Sequence, residues 1–290
     1  MPAMEAAPAG TIERIDPRVR RLLAANPSPF TFTGTWTHIV GAGEVAVIDP
    51  GPDLPDHVEA LLAGLGGERV VAIVCTHTHR DHSPASRALQ AATGAPIVGC
   101  APLAAGDDGL ADESFDLDYA PDRILADGDM LAGDGWTLEA VATPGHTSNH
   151  LCFALPQSGA LFSGDHVMGW STSIVSPPDG DMGAYVASLE KLLGRDDAVY
   201  YPAHGPSVDN PQRLVRGLIG HRKQREGQIL RLLARGEQGI TAMVAEMYRG
   251  IDPGLHPAAA RSVLAHLIDL ETRGLARRVG EAWGEGWAAA

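Results

Sequence analysis

The feature that most constrains this chain is the run Cys75-Thr76-His77-Thr78-His79-Arg80-Asp81-His82, which places three imidazoles and a carboxylate within six residues. It follows directly on the apolar stretch 70–75, whose Val and Ile content reads as a buried strand. Side chains alternate along a strand, so a strand alone cannot turn four ligands to one side. A strand that ends near Thr76, continued by a loop and a helix start, can bend them around one point, as a metal site requires. Clustered imidazoles without partners are costly inside a fold, and a bound cation makes the same cluster favourable.

Three further segments repeat this arrangement: Thr143-Pro144-Gly145-His146-Thr147, Ser163-Gly164-Asp165-His166 and Pro202-Ala203-His204-Gly205-Pro206. Each sets one potential ligand just past an expected strand, beside a Gly or Pro that fixes a tight turn. The surrounding pattern predicts strands over 35–40 and 45–49 around Gly41-Ala42-Gly43, helices over 56–65 and 84–92, and short strands at 97–99, 136–142, 151–155 and 160–163. That alternation is a mixed α/β sheet protein. Residues 169–183, rich in Gly, Pro, Ser and Thr, read as a long surface loop following Asp165, with His166, Trp170, Ser171 and Thr172 as candidate substrate contacts. His150 reads as a structural partner, and Cys75 and Cys152 as packing residues.

At 290 residues, 44% hydrophobic and 20% charged, the chain is long enough for one large domain and an appendage. The net charge of −14 is uneven: residues before His221 carry −16, and those from His221 onward +2. The tail reads as three helices, to about 235, over 241–248 and over 257–273, followed by a hairpin-like stretch at 275–287, a winged-helix-like pattern. The expected organisation is an N-terminal extension (1–27), a catalytic domain (28–218) and a C-terminal domain (219–290). The first sixteen residues lack a basic start followed by an apolar core, and no later segment reaches roughly 18 uninterrupted apolar residues. Three scattered cysteines form no disulfide framework. Together these predict a cytoplasmic protein with no membrane partner.

The set His77, His79, Asp81, His82, His146, Asp165 and His204 resembles the metallo-β-lactamase superfamily, whose HxHxDH motif it reproduces. Asp49, in Val47-Ile48-Asp49-Pro50-Gly51, is similar to that family's early strand-end aspartate, which supports the metal loop without binding metal. The resemblance implies a four-layer αβ/βα sandwich and two divalent metal ions. On this resemblance His77, His79 and His146 hold one metal, Asp81, His82 and His204 the other, and Asp165 bridges them. Histidine and carboxylate ligands suit zinc first, and admit iron or manganese. Paired cations bring a bridging water toward neutral pKa, so the expected reaction is hydrolysis, with Asp81 orienting the water and shuttling its proton.

Within the superfamily the chain resembles the β-lactamase-like group that includes an endoribonuclease, through Asn26-Pro27-Ser28-Pro29-Phe30, 76–83, 201–206, His221-Arg222 and the winged-helix-like tail. That implies a phosphodiester substrate such as single-stranded RNA, with Arg261 and Arg273 presented to its backbone. The acidic catalytic region opposes a polyanion, and the bulky His166 and Trp170 suit a small ester or thioester equally well. Thioester (glyoxalase II-like) or lactone hydrolysis is the alternative. Two further readings are a nucleic-acid-binding regulator with a vestigial metal site, and a mono-iron sulfur dioxygenase. A homodimer built on the tail is expected.

Overall fold

The chain enters its first sheet earlier than its hydrophobic pattern indicates. In the computed structural model, which describes residues 8–103, 114–250, 252–280 and 286–290, β1 (Ile12–Asp16) and β2 (Val19–Leu23) already lie in the stretch expected to be an extension. The pattern is masked because β2 buries Val19, Leu22 and Leu23 while two arginines interrupt them. Those arginines lay their stems along the sheet: Arg21 stacks its guanidinium 3.9 Å from the Trp36 ring centroid, and Arg20 pairs with Glu68.

The described elements divide into two compact units, one of Met1–Ala142, Asn149–Ser171 and Asp196–Pro211, the other of Thr143–Ser148, Thr172–Arg195 and Gln212–Ala290. In the first, β3 (Trp36–Ala42) and β4 (Glu44–Ile48) form the expected antiparallel pair around Gly43. Helix α1 (Pro55–Leu65) leads into β5 (Arg69–Cys75), and α2 (Ala85–Thr93) into β6 (Ile97–Gly99) and β7 (Arg123–Ile124). The seven strands pair in sequence order, antiparallel from β1 to β4 and parallel from β4 to β7.

The second sheet of this unit holds β8 (Met130–Gly133), β9 (Trp136–Ala142), β10 (Leu151–Leu155), β11 (Ala160–Gly164) and β12 (Val199–Pro202). Its order is β12-β11-β10-β9-β8, antiparallel except for the β11–β12 pair. One core joins the two sheets, with Ile39, Val47 and Ile73 from the first and Leu138, Phe153 and Phe162 from the second. Trp136 locks them, donating its indole N–H to Glu44 O at 2.9 Å while its ring packs on Gly41. A Cβ at Gly41 would stand 2.4 Å from that ring, and φ there is 102°, so only glycine fits. Helix α1 turns His57, Leu61 and Leu65, spaced four apart, inward, and α2 buries Leu89 in the same core.

The second unit contains α3 (Met182–Leu193), nearly all of α4 (Pro211–Leu233), α5 (Ile240–Met247), α6 (His256–Thr272) and the hairpin β13 (Ala276–Arg278) with β14 (Trp287–Ala289). The tail helices form as the sequence predicts. Their core is Ile229, Leu233, Met243, Val263, Leu267, Leu270 and Trp287. The part of the expected hairpin at 281–285 lies outside the described residues. The loop expected over 169–183 ends earlier, because Asp181 caps α3 by accepting from Ala184 N at 2.7 Å. Among the described residues no helix is long and apolar enough to cross a membrane.

Candidate metal centre

Four strands of the first unit end in candidate ligands or their supports: β4 in Asp49, β5 in Thr76 to His82, β11 in Asp165 and β12 in His204. Each chain segment turns just past its last sheet hydrogen bond, so side chains leave the strand pattern and converge. At β5 the strand stops at Cys75, and residues 76–84 loop before α2, as the histidine spacing requires.

Asp81, His82 and His204 offer ligand atoms that all lie within 4.8 Å of one another, and so do His77, His79 and Asp165. Asp165 reaches across both groups, with Oδ1 3.3 Å from His204 Nε2 and 3.6 Å from His82 Nε2. Asp81 Oδ2 stands 3.2 Å from His204 Nε2 and 3.3 Å from His82 Nε2. His82 Nε2 is buried and makes no hydrogen bond, although two carboxylates face it. A buried nitrogen aimed at acid oxygens without bonding them fits a metal ligand better than a structural imidazole.

The other faces of these ligands are held from behind. His82 Nδ1 lies 3.0 Å from Asp49 Oδ2, which also accepts from Thr76 Oγ1 at 2.8 Å, while Asp49 Oδ1 accepts from Thr76 N at 2.8 Å. His204 Nδ1 bonds Gly34 O at 3.1 Å, His77 Nδ1 lies 3.0 Å from Thr76 Oγ1, and Thr35 Oγ1 donates to Asp81 Oδ2 at 3.1 Å. In each of the three imidazoles Nδ1 is engaged, so a fixed ring orientation is presented. Burial opposes charge on all four central groups, and their attraction for one another outweighs it. Asp81 and Asp165 are held well below the usual carboxylate range by His82 and His204. The same carboxylates push His82 well above the usual imidazole range and His204 up to about 10. Metal cations can take the place of those imidazole protons with the charge still balanced, so the donor set fits divalent metal ions.

His146, the remaining expected ligand, belongs to the second unit, where its Nδ1 lies 2.6 Å from Ile174 O. His150 is the structural partner expected of it: its Nε2 accepts from Asp165 N at 3.2 Å, and a Cβ on Gly164 would strike it at 2.6 Å. His166 is fully buried, its ring 5.9 Å from that of His150, while Ser171 is exposed and Thr172 half-buried. Trp170 stacks on Phe32 at 4.8 Å and 18°, and covers Gly205 beside His204. Phe32 escapes sequence reasoning, as does Phe115, which stacks on His79 at 4.6 Å. Neither carries a motif, and both reach the site through loops. None of the three cysteines is in a disulfide, and all three are buried.

The family model for the metallo-beta-lactamase superfamily matches residues 30–204, and that for the beta-lactamase associated winged helix domain matches residues 240–287. The chain belongs to the metallo-β-lactamase superfamily. Among its relatives is a beta-lactamase-like protein 2 homolog from Drosophila melanogaster, 33% identical over 277 residues and covering 92% of each chain. Another is an atrochrysone carboxyl ACP thioesterase from Paecilomyces divaricatus, 35% identical over 244 residues, covering 81% of this chain and 71% of that one. The crystal structure of a beta-lactamase domain protein from Burkholderia ambifaria superposes with a TM-score of 0.84 at 23% identity, covering 99% and 96% of the two chains. This superfamily member therefore has the metallo-β-lactamase fold with a C-terminal winged helix domain, and carries His and Asp groups able to bind metal.

Proposed function

We propose that the chain is a dinuclear metal-dependent hydrolase of small acyl thioesters, its catalytic region comprising 28–218 together with β1 and β2, and its winged-helix region 219–290. The observation that carries this is Asp165, whose Oδ1 faces His82 and His204 while it shares a ligand group with His77 and His79. We assign His77, His79 and His146 to one metal, Asp81, His82 and His204 to the second, and Asp165 to both. Bound zinc ions would supply Lewis acidity and a hydroxide at neutral pH. Asp81, more open to solvent than His82 or His204, accepts the proton released from the attacking water and hands it to the departing thiolate. Asp49, Thr76, Thr35 and Gly34 O keep the ring and carboxylate orientations fixed throughout.

The thioester class is preferred for three reasons. A relative at 35% identity is named an ACP thioesterase, and the residues before His221 carry a charge of −16, which repels a polyanion. The half-buried Trp170, stacked on Phe32, adds apolar surface beside Gly205 and His204 that suits an acyl group. The phosphodiester reading draws on the winged-helix tail and is separated by the same test. Zinc-loaded wild type and Asp81→Ala are compared on a panel of acyl thioesters and on labelled single-stranded RNA. Thioester turnover that falls roughly 100- to 10,000-fold in the variant is expected. RNA cleavage without thioester turnover overturns the substrate class, and a zinc-replete protein inert on both overturns the hydrolase reading.

A further inference from the structure

We propose that Arg222, on α4, is a positioning residue for His146, acting through the backbone of residues 173–174. This rests on the assignment of His146 as a metal ligand. All the residues involved belong to the second unit.

His146 is 9% exposed, and its Nδ1 lies 2.6 Å from the carbonyl oxygen of Ile174. A carbonyl only accepts, so Nδ1 carries the hydrogen and donates it, and Nε2 is the nitrogen that can serve as a ligand to a cation. The direction of the ring therefore depends on where the Ile174 carbonyl is held. The adjoining carbonyl, Ser173 O, accepts a hydrogen bond from Arg222 Nη2. Arg222 is 3% exposed, reaches Ser262 Oγ on α6 at 3.4 Å through Nη1, and places its guanidinium 5.0 Å from the Tyr185 ring.

Tyr185 closes the circuit. Its backbone packs against Gly145, the residue before His146, so tightly that a Cβ on Gly145 would stand 2.3 Å from Tyr185 Cα, and Gly145 has φ 135°. Asp181 N donates to Gly145 O at 2.9 Å, and Ser188 Oγ donates to Pro144 O at 2.8 Å. The loop that carries His146 thus rests on α3, while Arg222 grips both α3, through Tyr185, and the strap that receives the His146 N–H, through Ser173. A guanidinium is an expensive way to fill this space. It is desolvated, and its Nε is buried with no hydrogen-bond partner. An apolar side chain would pack there at lower cost, whereas only a forked donor reaches a carbonyl, a hydroxyl and a ring face together.

The test measures zinc binding to the full chain by chelator competition, together with the absorption spectrum of the cobalt-substituted protein, for wild type, Arg222→Met, Arg222→Lys and His146→Ala. His146→Ala is expected to weaken one of two zinc sites. Arg222→Met is expected to weaken the same site by roughly 10- to 100-fold and to shift its cobalt spectrum, with the other site unchanged. Arg222→Lys, which keeps one donor, is expected to recover part of that loss. If His146→Ala weakens a site and both Arg222 variants bind zinc and cobalt as wild type does, the positioning role is overturned. If His146→Ala itself leaves both sites intact, the ligand assignment fails instead. Should Arg222→Met not fold, Arg222→Lys and the imidazole nitrogen shifts of His146 in the zinc-loaded wild type decide: Nδ1 protonated with Nε2 on the metal supports the proposal, and the reverse overturns it.

Discussion

Asp49 adopts a backbone conformation that its side chain makes worthwhile. Its φ of 49° lies in the left-handed region, uncommon outside glycine though tolerated by aspartate. The turn lets both carboxylate oxygens reach Thr76 and His82. Asp49→Ala is expected to weaken the zinc site that uses His82 by roughly 10- to 100-fold, measured by chelator competition, because the ring loses its Nδ1 partner. Unchanged affinity would remove Asp49 from the site. A second residue-scale prediction concerns His38, which is buried beside Phe162 and Tyr201. Burial, with a smaller contribution from the charge of Arg21, lowers its pKa from 6.5 to about 3. Below pH 6.5 the unfolded chain therefore takes up a proton that the folded chain refuses. The contribution of His38 to stability is complete above that pH, and is lost as pH falls toward 3 at up to about 1.4 kcal/mol per unit. Urea titrations at pH 7, 6 and 5 should show His38→Phe gaining on wild type as pH drops, and a constant difference would contradict it. The candidate ligands stood out in sequence because each lies in a motif just past a strand end. The φ of Asp49 and the ring of Phe32 did not, because neither leaves a pattern in residue order.

At the scale of elements, the segment between β11 and α3 follows a proposed bridging ligand and carries Trp170. Replacing residues 169–180 while keeping Gly169 and Gly180 is expected to change thioester preference with zinc content intact, and identical preference across a substrate panel would sink the idea. Helix α3 offers a simpler check. Asp181→Ala removes the cap on Ala184 N and is expected to cost about 1 kcal/mol in urea unfolding. Helices α5 and α6 and strands β5, β9, β10 and β11 were readable because period and burial agree in them. Strands β1 and β2 were not, since Arg20 and Arg21 cross the apolar pattern and their burial depends on Trp36 and Glu68, which lie elsewhere in the sequence.

For the whole molecule, metal and stability are linked. On the proposed assignment, metal binds the folded chain, which brings the ends of β5, β11 and β12 together, and not the unfolded one, so zinc at 100 times its dissociation constant should add about 2.7 kcal/mol of stability. Stripping with a chelator should lower the melting temperature, and readdition of zinc should restore it. A melting temperature indifferent to both would show that no metal sits among these ligands.

What residue order determined by itself was chemistry and local period: a histidine-rich loop after a buried strand, further histidine and aspartate residues beside turn residues, and helices in the tail. These are encoded by neighbours within one turn or one strand, where a side chain's surroundings are its own sequence. Only the tertiary structure decided that β1 and β2 join the first sheet, that Asp165 faces both ligand groups, and that Arg222 grips the strap behind His146. Each of those depends on segments 13 to 88 residues apart. Such contacts follow from how sheets pair and cores pack, which local propensity does not specify.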